Sequence, residues 1–173
     1  TITSRSAVRV FLRTRVDGIF EEQGFAHDEI QAALVDFDDV VQATGRMQSL
    51  AVLKTARKEF RDVALALSRV TNILPKGYKG DGAVAAEMLQ GPERALYDAH
   101  EAVREQADGL SRDGKFEELF DLLSTLKPSI DAFFAAVLVM DPDPLVKDRR
   151  LALLKRVERT IRLFADVRAL VLN

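Results

Sequence analysis

An all-α bundle of about seven or eight helices is the fold class this sequence predicts, and three observations carry the expectation. Apolar residues recur at three- and four-residue intervals along nearly the whole chain, the spacing that stacks side chains on one face of a helix. No segment sustains the two-residue alternation of a half-buried strand. Most Gly and Pro stand at the ends of the periodic runs, where they punctuate helices.

The first helix places Val8, Phe11, Leu12, Val16 and Ile19 on one face as its expected core positions, and Gly24 stops it. Residues 27–35 form a short second helix. Asp38 or Asp39 caps a third that runs through Val41, Met47 and Leu50, because a carboxylate at that position accepts from the open N–H groups of the first turn. In the fourth, Ala56, Phe60, Val63, Ala64, Leu67, Thr71 and Leu74 share a face until Pro75, which lacks an N–H and forbids continuation. The stretch KGYKGDGAV, residues 76–84, has three Gly between positions 77 and 82 and loses too much backbone entropy on ordering to make an element, so it reads as a flexible connector. Gly91-Pro92 opens a fifth helix with Leu96, Ala99, Val103 and Leu110 inward, and Asp113-Gly114 ends it. Two shorter helices, 115–126 and 128–140, are separated by Pro128. Asp143-Pro144 opens the last, in which Val146, Leu153, Leu154, Val157, Ile161, Phe164 and Val171 continue almost to the end, a rod of about 40 Å at 1.5 Å per residue. Gly18 and Gly45 fall inside helical patterns. The expected organisation is a single domain over 1–173: N-terminal helices in 1–75, the connector in 76–91 and C-terminal helices in 92–173.

Composition narrows the chemistry. At 173 residues, with 47% apolar and 30% charged side chains, the chain can bury a core and reads as globular rather than disordered. Absence of Cys removes disulfides, thiolate nucleophiles and cysteine-held metals, and fits a reducing, cytoplasmic setting. No apolar run approaches the ~18 residues that span a bilayer, and TITSRSAVR lacks the apolar stretch of a signal peptide, so no membrane partner is expected. A start at Thr1 rather than Met suggests a piece of a longer chain. His27 and His100 have no second His or carboxylate four residues away, which speaks against a helical metal site. No Ser stands in a strand-turn-helix elbow, and GYKGDG lacks both the preceding strand and the Gly-Lys-Ser/Thr of a phosphate loop. The adjacent pairs Glu21-Glu22 and Glu117-Glu118 point in different directions on a helix. No catalytic residue and no metal ligand is expected.

Charge is segregated although the net charge is only −2. Residues 54–79 hold 7 bases and 2 acids, residues 145–173 hold 8 bases and 3 acids, and residues 80–143 hold 14 acids and 5 bases. With Phe60 facing the core of one continuous helix, Lys54, Lys58, Arg61, Arg69 and Asn72 fall in a solvent-side stripe that Lys76 extends. Several cations without a competing carboxylate are what phosphate contacts require. On the last helix Lys155, Arg159 and Arg162 lie opposite the apolar face. Arg150 falls among its apolar positions and is expected to be a paired structural residue, with Asp131 or Asp143 as partner.

The segment DAFFAAVLVMDPDPLVKDRRLALLKRVERTIRLFADVRAL, residues 131–170, resembles the C-terminal end of the β subunit of bacterial glycyl-tRNA synthetase, in which FF, V-x-VM, an acidic turn, RLALL and an FADV-like stretch follow in that order. FLRTRVDGIFEEQGFAHDEIQAAL, residues 11–34, and SRVTNIL, residues 68–74, look like other parts of the same tail. Two positions depart from the pattern: Arg149 stands where a neutral residue is typical, and Ser68 where Lys often precedes Arg. That tail is a DALR-type anticodon-binding domain, a helical bundle shared with arginyl-tRNA synthetase. The resemblance implies binding of the tRNA for glycine, within an enzyme whose α subunit, joined through the full-length β chain, attaches glycine using ATP and Mg. The fragment itself would hold no cofactor and catalyse nothing, and DNA is not an expected partner. Unstacked loop bases are read by hydrogen bonding and stacking once phosphate contacts set the register, and Tyr78 is the stacking candidate. Two alternatives stand beside this reading: a protein-interaction module that uses the acidic middle segment, and the tail of an arginyl-tRNA synthetase.

Overall fold

Local chemistry sets most of the helix ends in the computed structural model, which describes residues 2–35, 37 and 39–172. Among these residues the order is α1 (Ile2–Glu22), α2 (His27–Ala33), α3 (Val40–Ala56), α4 (Phe60–Asn72), a 3-10 turn (Ala86–Met88), α5 (Gly91–Arg112), α6 (Phe116–Ser124), α7 (Lys127–Ala136), α8 (Pro144–Phe164) and a second 3-10 turn (Val167–Ala169). Asp39 caps α3 by accepting from the Val41 N–H at 2.7 Å, and Asp143 caps α8 by accepting from the Leu145 N–H at 2.9 Å. The other proposed cap for α3, Asp38, lies outside the described residues. Gly114 turns the chain between α5 and α6 at φ +70°, a conformation that disfavours a side chain.

α5 packs against α6, α7 and α8, while α4 packs on α7 and α8, so α5, α4 and α8 enclose the centre of the bundle. Phe120 joins its layers, with its ring centroid 5.2 Å from Phe60 of α4 and 5.4 Å from Phe164 of α8. Rings at this spacing add to the apolar area they bury. Gly45 is inside α3 for a packing reason: a Cβ there would sit 3.2 Å from the Phe116 ring, so its absence lets α3 and α6 approach.

Four expectations need correction. Among the residues of α1 whose burial is described, only Val16 and Phe20 are buried, whereas Val8, Phe11, Leu12 and Ile19 are exposed; the helix touches the bundle along the edge that carries Arg9 and Arg13, which donate to the backbone carbonyls of Phe37 and Leu34. Val41, placed in the core by its spacing, is 78% exposed because the inward face of α3 is Ala43, Met47, Leu50 and Leu53. α7 stops at Ala136, where Val137 is extended, rather than at 140. α8 stops at Phe164, so its 21 residues span about 31 Å. Ala165 is extended there, and the tail turns back onto α2: the Asp166 N–H donates to the Ala32 carbonyl at 2.9 Å, and the Val171 N–H to Asp28 Oδ2 at 2.8 Å.

Residues 76–90 contain no α-helix, in line with their glycines, yet they lie on the bundle. Gly82, at φ +72°, is buried where a Cβ would be 3.2 Å from the Arg156 backbone, and Leu89 is buried in the core. Arg159 of α8 donates to the Asp81 carbonyl. The glycines therefore serve close packing as well as turning, and the connector forms a wall against α8.

Candidate nucleic-acid interface

The expected cation stripe is broken by one residue. Arg57 is extended (φ −102°, ψ 112°) and ends α3, so Lys54 rides on α3 and Lys58 on the turn before α4. A 3.6-residue period does not pass through an extended residue, and the side chains diverge. Lys54 Nζ lies 2.9 Å from Glu29 and 3.6 Å from Asp28 of α2. The hydrogen bond to Glu29 outweighs partial burial and holds the Lys54 ammonium above its ordinary pKa. Burial pushes the Asp28 carboxyl up, but the Val171 N–H and Lys54 together bring it below its ordinary value. Arg61 Nε donates to the Leu172 carbonyl at 3.4 Å, leaving Lys58 exposed beside a shallow cavity of about 340 Å³ lined by Lys54, Lys58, Arg61 and Leu172. Arg69 points elsewhere: it pairs with Asp131 Oδ1 at 3.2 Å and lies 4.6 Å over the Phe134 ring on α7.

The far end of α4 holds the more developed site. Asn72, Lys76 and Tyr78 line a cavity of about 470 Å³ whose opposite wall is Lys155, Glu158 and Arg162 of α8, with Arg168 at its edge. Lys76 is exposed, and among the described residues it has no ion-pair partner within 4 Å. The Tyr78 ring is half-buried over Gly80, where any Cβ would overlap it, and the Tyr78 backbone N–H donates to the Pro75 carbonyl at 3.0 Å. Burial, followed by the charges of Asp148 and Asp81, pushes the Tyr78 phenol above its ordinary pKa, so it stays a neutral hydrogen-bonding ring. Arg168 is paired with Asp166 at 2.8 Å, and burial of the Asp166 carboxyl is outweighed by Arg168, which holds its pKa down. Of the expected α8 residues, Lys155 and Arg162 thus reach the cavity, while Arg159 is spent on the connector.

Glu158 was not among the expected residues. Its side chain is 5% exposed, with Oε2 2.8 Å from Lys155 Nζ and Oε1 3.8 Å from Arg162 Nε. The signal was in the sequence: Glu158 is four residues after Leu154 and three before Ile161, which puts a carboxylate at the border of the buried stripe. A second grouping also escaped notice, because its members come from two helices: Asp17, Glu21 and His27 bring one ligand atom each within 4.8 Å of one another. His27 and Glu21 are exposed there, an arrangement common on surfaces that hold no ion.

Arg150 is the paired structural residue its position suggested, with different partners. It donates through Nε to Glu93 Oε1 at 2.6 Å and through Nη1 to Asp141 Oδ2 at 2.7 Å, and Arg149 Nη2 lies 3.3 Å from Glu93 Oε2. Asp131 is occupied by Arg69 and Lys127, and Asp143 by the helix cap. His100 Nε2 lies 2.8 Å from the Thr160 hydroxyl, an imidazole–hydroxyl contact of the kind a nucleophile needs, but His100 is 0% exposed and no substrate reaches it.

An all-α bundle with a cation-rimmed cavity has the form of a binding module. The chain belongs to the DALR anticodon binding domain family, whose model matches residues 63–167. It is similar to the glycine–tRNA ligase beta subunits of Anaeromyxobacter dehalogenans (37% identical over 161 residues, 91% of this chain and 23% of that protein) and Thiobacillus denitrificans (33% over 166 residues, 92% and 23%). The Acidithiobacillus ferrooxidans glycine–tRNA ligase beta subunit is 29% identical over 165 residues, covering 94% of this chain and 24% of that protein. The chain therefore spans about a quarter of the length of the curated relatives it matches. Among the described residues, no helix is long and apolar enough to cross a membrane.

Proposed function

We propose that this chain binds the anticodon region of the tRNA for glycine, as the anticodon-binding part of a glycine–tRNA ligase β subunit. The observation that carries this reading is the convergence of Lys76, Lys155, Arg162 and Arg168, from three stretches of chain, on one cavity that also holds Asn72 and Tyr78. Cations at the rim neutralise backbone phosphates and set the register, while a half-buried ring and polar groups inside suit an unstacked base. Lys58, on the turn before α4, is a further exposed cation at the other end of that helix. The surrounding enzyme works in the cytoplasm, where its α subunit attaches glycine with ATP and Mg; this chain positions the RNA and carries no step of that reaction.

The test is a titration of the chain with an anticodon stem-loop bearing the glycine anticodon against one with a swapped anticodon. The glycine hairpin should bind tighter, with an affinity that falls as salt rises. Equal affinities, or binding insensitive to salt, would refute the assignment.

A further inference from the structure

Lys76 and Tyr78 face the α8 wall from a stretch that contains Gly77, Gly80 and Gly82, and α8 grips that stretch at one peptide unit. The Asp81–Gly82 peptide is held at both its ends. Arg159 Nη1 donates to the Asp81 carbonyl, and Gly82, buried at φ +72°, packs so closely that a Cβ would stand 3.2 Å from the Arg156 backbone. Arg156 and Arg159 are three residues apart and so share a face of the helix. Arg156 is in turn tied to α5, its Nε 2.8 Å from Glu101 Oε1, which steadies the base of the grip. Between α4 and the grip the connector folds on itself. The Tyr78 ring lies over Gly80, the Tyr78 backbone N–H donates to the Pro75 carbonyl at 3.0 Å, and Asp81 Oδ1 accepts from the Ala83 N–H at 2.9 Å. Arg159 itself does not line the cavity. α8 thus carries one wall through Lys155 and holds the opposite wall in place through Arg159.

Resting on the anticodon-binding reading, we propose that Arg159 is a positioning residue for RNA: its hold on the Asp81 carbonyl keeps Lys76 and Tyr78 opposite Lys155, and it takes no phosphate itself. Glycine loses more conformational freedom on ordering than any other residue, so this connector is costly to fix in one arrangement. A hydrogen bond from a charged donor is among the stronger ones, and here it offsets that cost before RNA arrives. Without it the connector samples arrangements in which Lys76 and Tyr78 leave the cavity, and the apparent affinity falls in proportion to the fraction that stays competent. The bound state keeps the same phosphate contacts, so the loss is equal at every salt concentration. A cation that touches phosphate behaves otherwise, because its removal releases fewer counterions and flattens the salt dependence. Salt therefore separates a positioning arginine from a binding one.

Titration of the glycine anticodon stem-loop over a range of salt tests this with the chain as it stands. Arg159→Ala should weaken binding about fivefold at each concentration and leave both the salt slope and the denaturation midpoint unchanged. Gly82→Ala changes no charge and lifts the same peptide unit from its other end. It should also weaken binding with the slope kept, and the double variant should bind little worse than the weaker single one. In Arg159→Ala, a slope reduced by about one unit, an unaltered affinity or a lowered midpoint would each overturn the inference and leave anticodon binding intact, as would losses that add in the double variant. If the unaltered chain binds no hairpin, the functional reading falls, and amide exchange of the free chain decides the grip. Exchange about tenfold faster at Tyr78 and Ala83 in Arg159→Ala upholds it, and unchanged exchange overturns it.

Discussion

The two halves of α8 carry clusters of cations with opposite fates. At its start, Arg149 and Arg150 face Glu93 and Asp141 at 2.6–3.3 Å, and the charges are spent inside the fold, tying α8 to the beginning of α5 and to the loop after α7. Further along, Lys155 and Arg162 share Glu158, the carboxylate that lines the cavity, Arg162 also lies 3.6 Å from Asp166, and Lys76 faces them with no ion-pair partner among the described residues. Counting cations does not separate the two regions. What separates them is whether neighbouring segments supply carboxylates at matching positions, a property of the packing rather than of α8. One cluster holds the bundle together, and the other leaves positive charge on offer.

The largest expected effect breaks the first cluster. Glu93→Ala would leave two guanidinium groups, 25% and 16% exposed, facing a hole, and should lower stability by about 3 kcal/mol, the low end for a half-removed buried pair. Chemical denaturation measures it. A change under ~0.5 kcal/mol, ordinary for a surface site, would move these arginines out of the structural class.

A smaller effect comes from His100. Burial lowers its pKa, the carboxylate of Glu101 opposes this, and Arg156 of α8 and Arg104 of its own helix reinforce it; its Nε2 meets the Thr160 hydroxyl of α8. A folded-state pKa below the unfolded one means that the unfolded chain binds the proton first. Stability is then fully present above the ordinary histidine pKa of ~6.5 and falls as pH drops from there toward the folded value. Melting temperatures at pH 7.5, 6.5 and 5.5 should fall in that order, and His100→Gln should flatten the decline over this window. An unaltered decline in the variant would place its cause in other groups.

How much of this was legible in the sequence depended on whether the signal was local. The periodicities of α4, α5 and α8 were readable because those helices bury a whole face, and Pro75, Asp39 and Asp143 announced ends and starts by their own chemistry. The face of α1 misled because spacing shows which residues align, not whether a partner covers them, and Phe11 remains 61% exposed. The break at Arg57 has no Gly or Pro to mark it, so Lys54 was placed on the wrong helix. Arg150 was assigned correctly to structure because a charge in an apolar stripe needs a partner; Glu158 gave the same sign and was passed over. Its partners on the cavity wall, however, come from residues 72–78 and from α8, and no spacing rule joins segments so far apart.

The contrast between the clusters rests most directly on salt dependence measured beside stability. Titrating the glycine anticodon stem-loop over a range of salt, Lys76→Ala should reduce the slope of log affinity against log salt by about one unit or slightly less while leaving the denaturation midpoint unchanged. Arg150→Ala should keep the slope and lose stability. A full slope in Lys76→Ala together with a reduced one in folded Arg150→Ala would contradict the assignment of binding to the cavity and of structure to the start of α8.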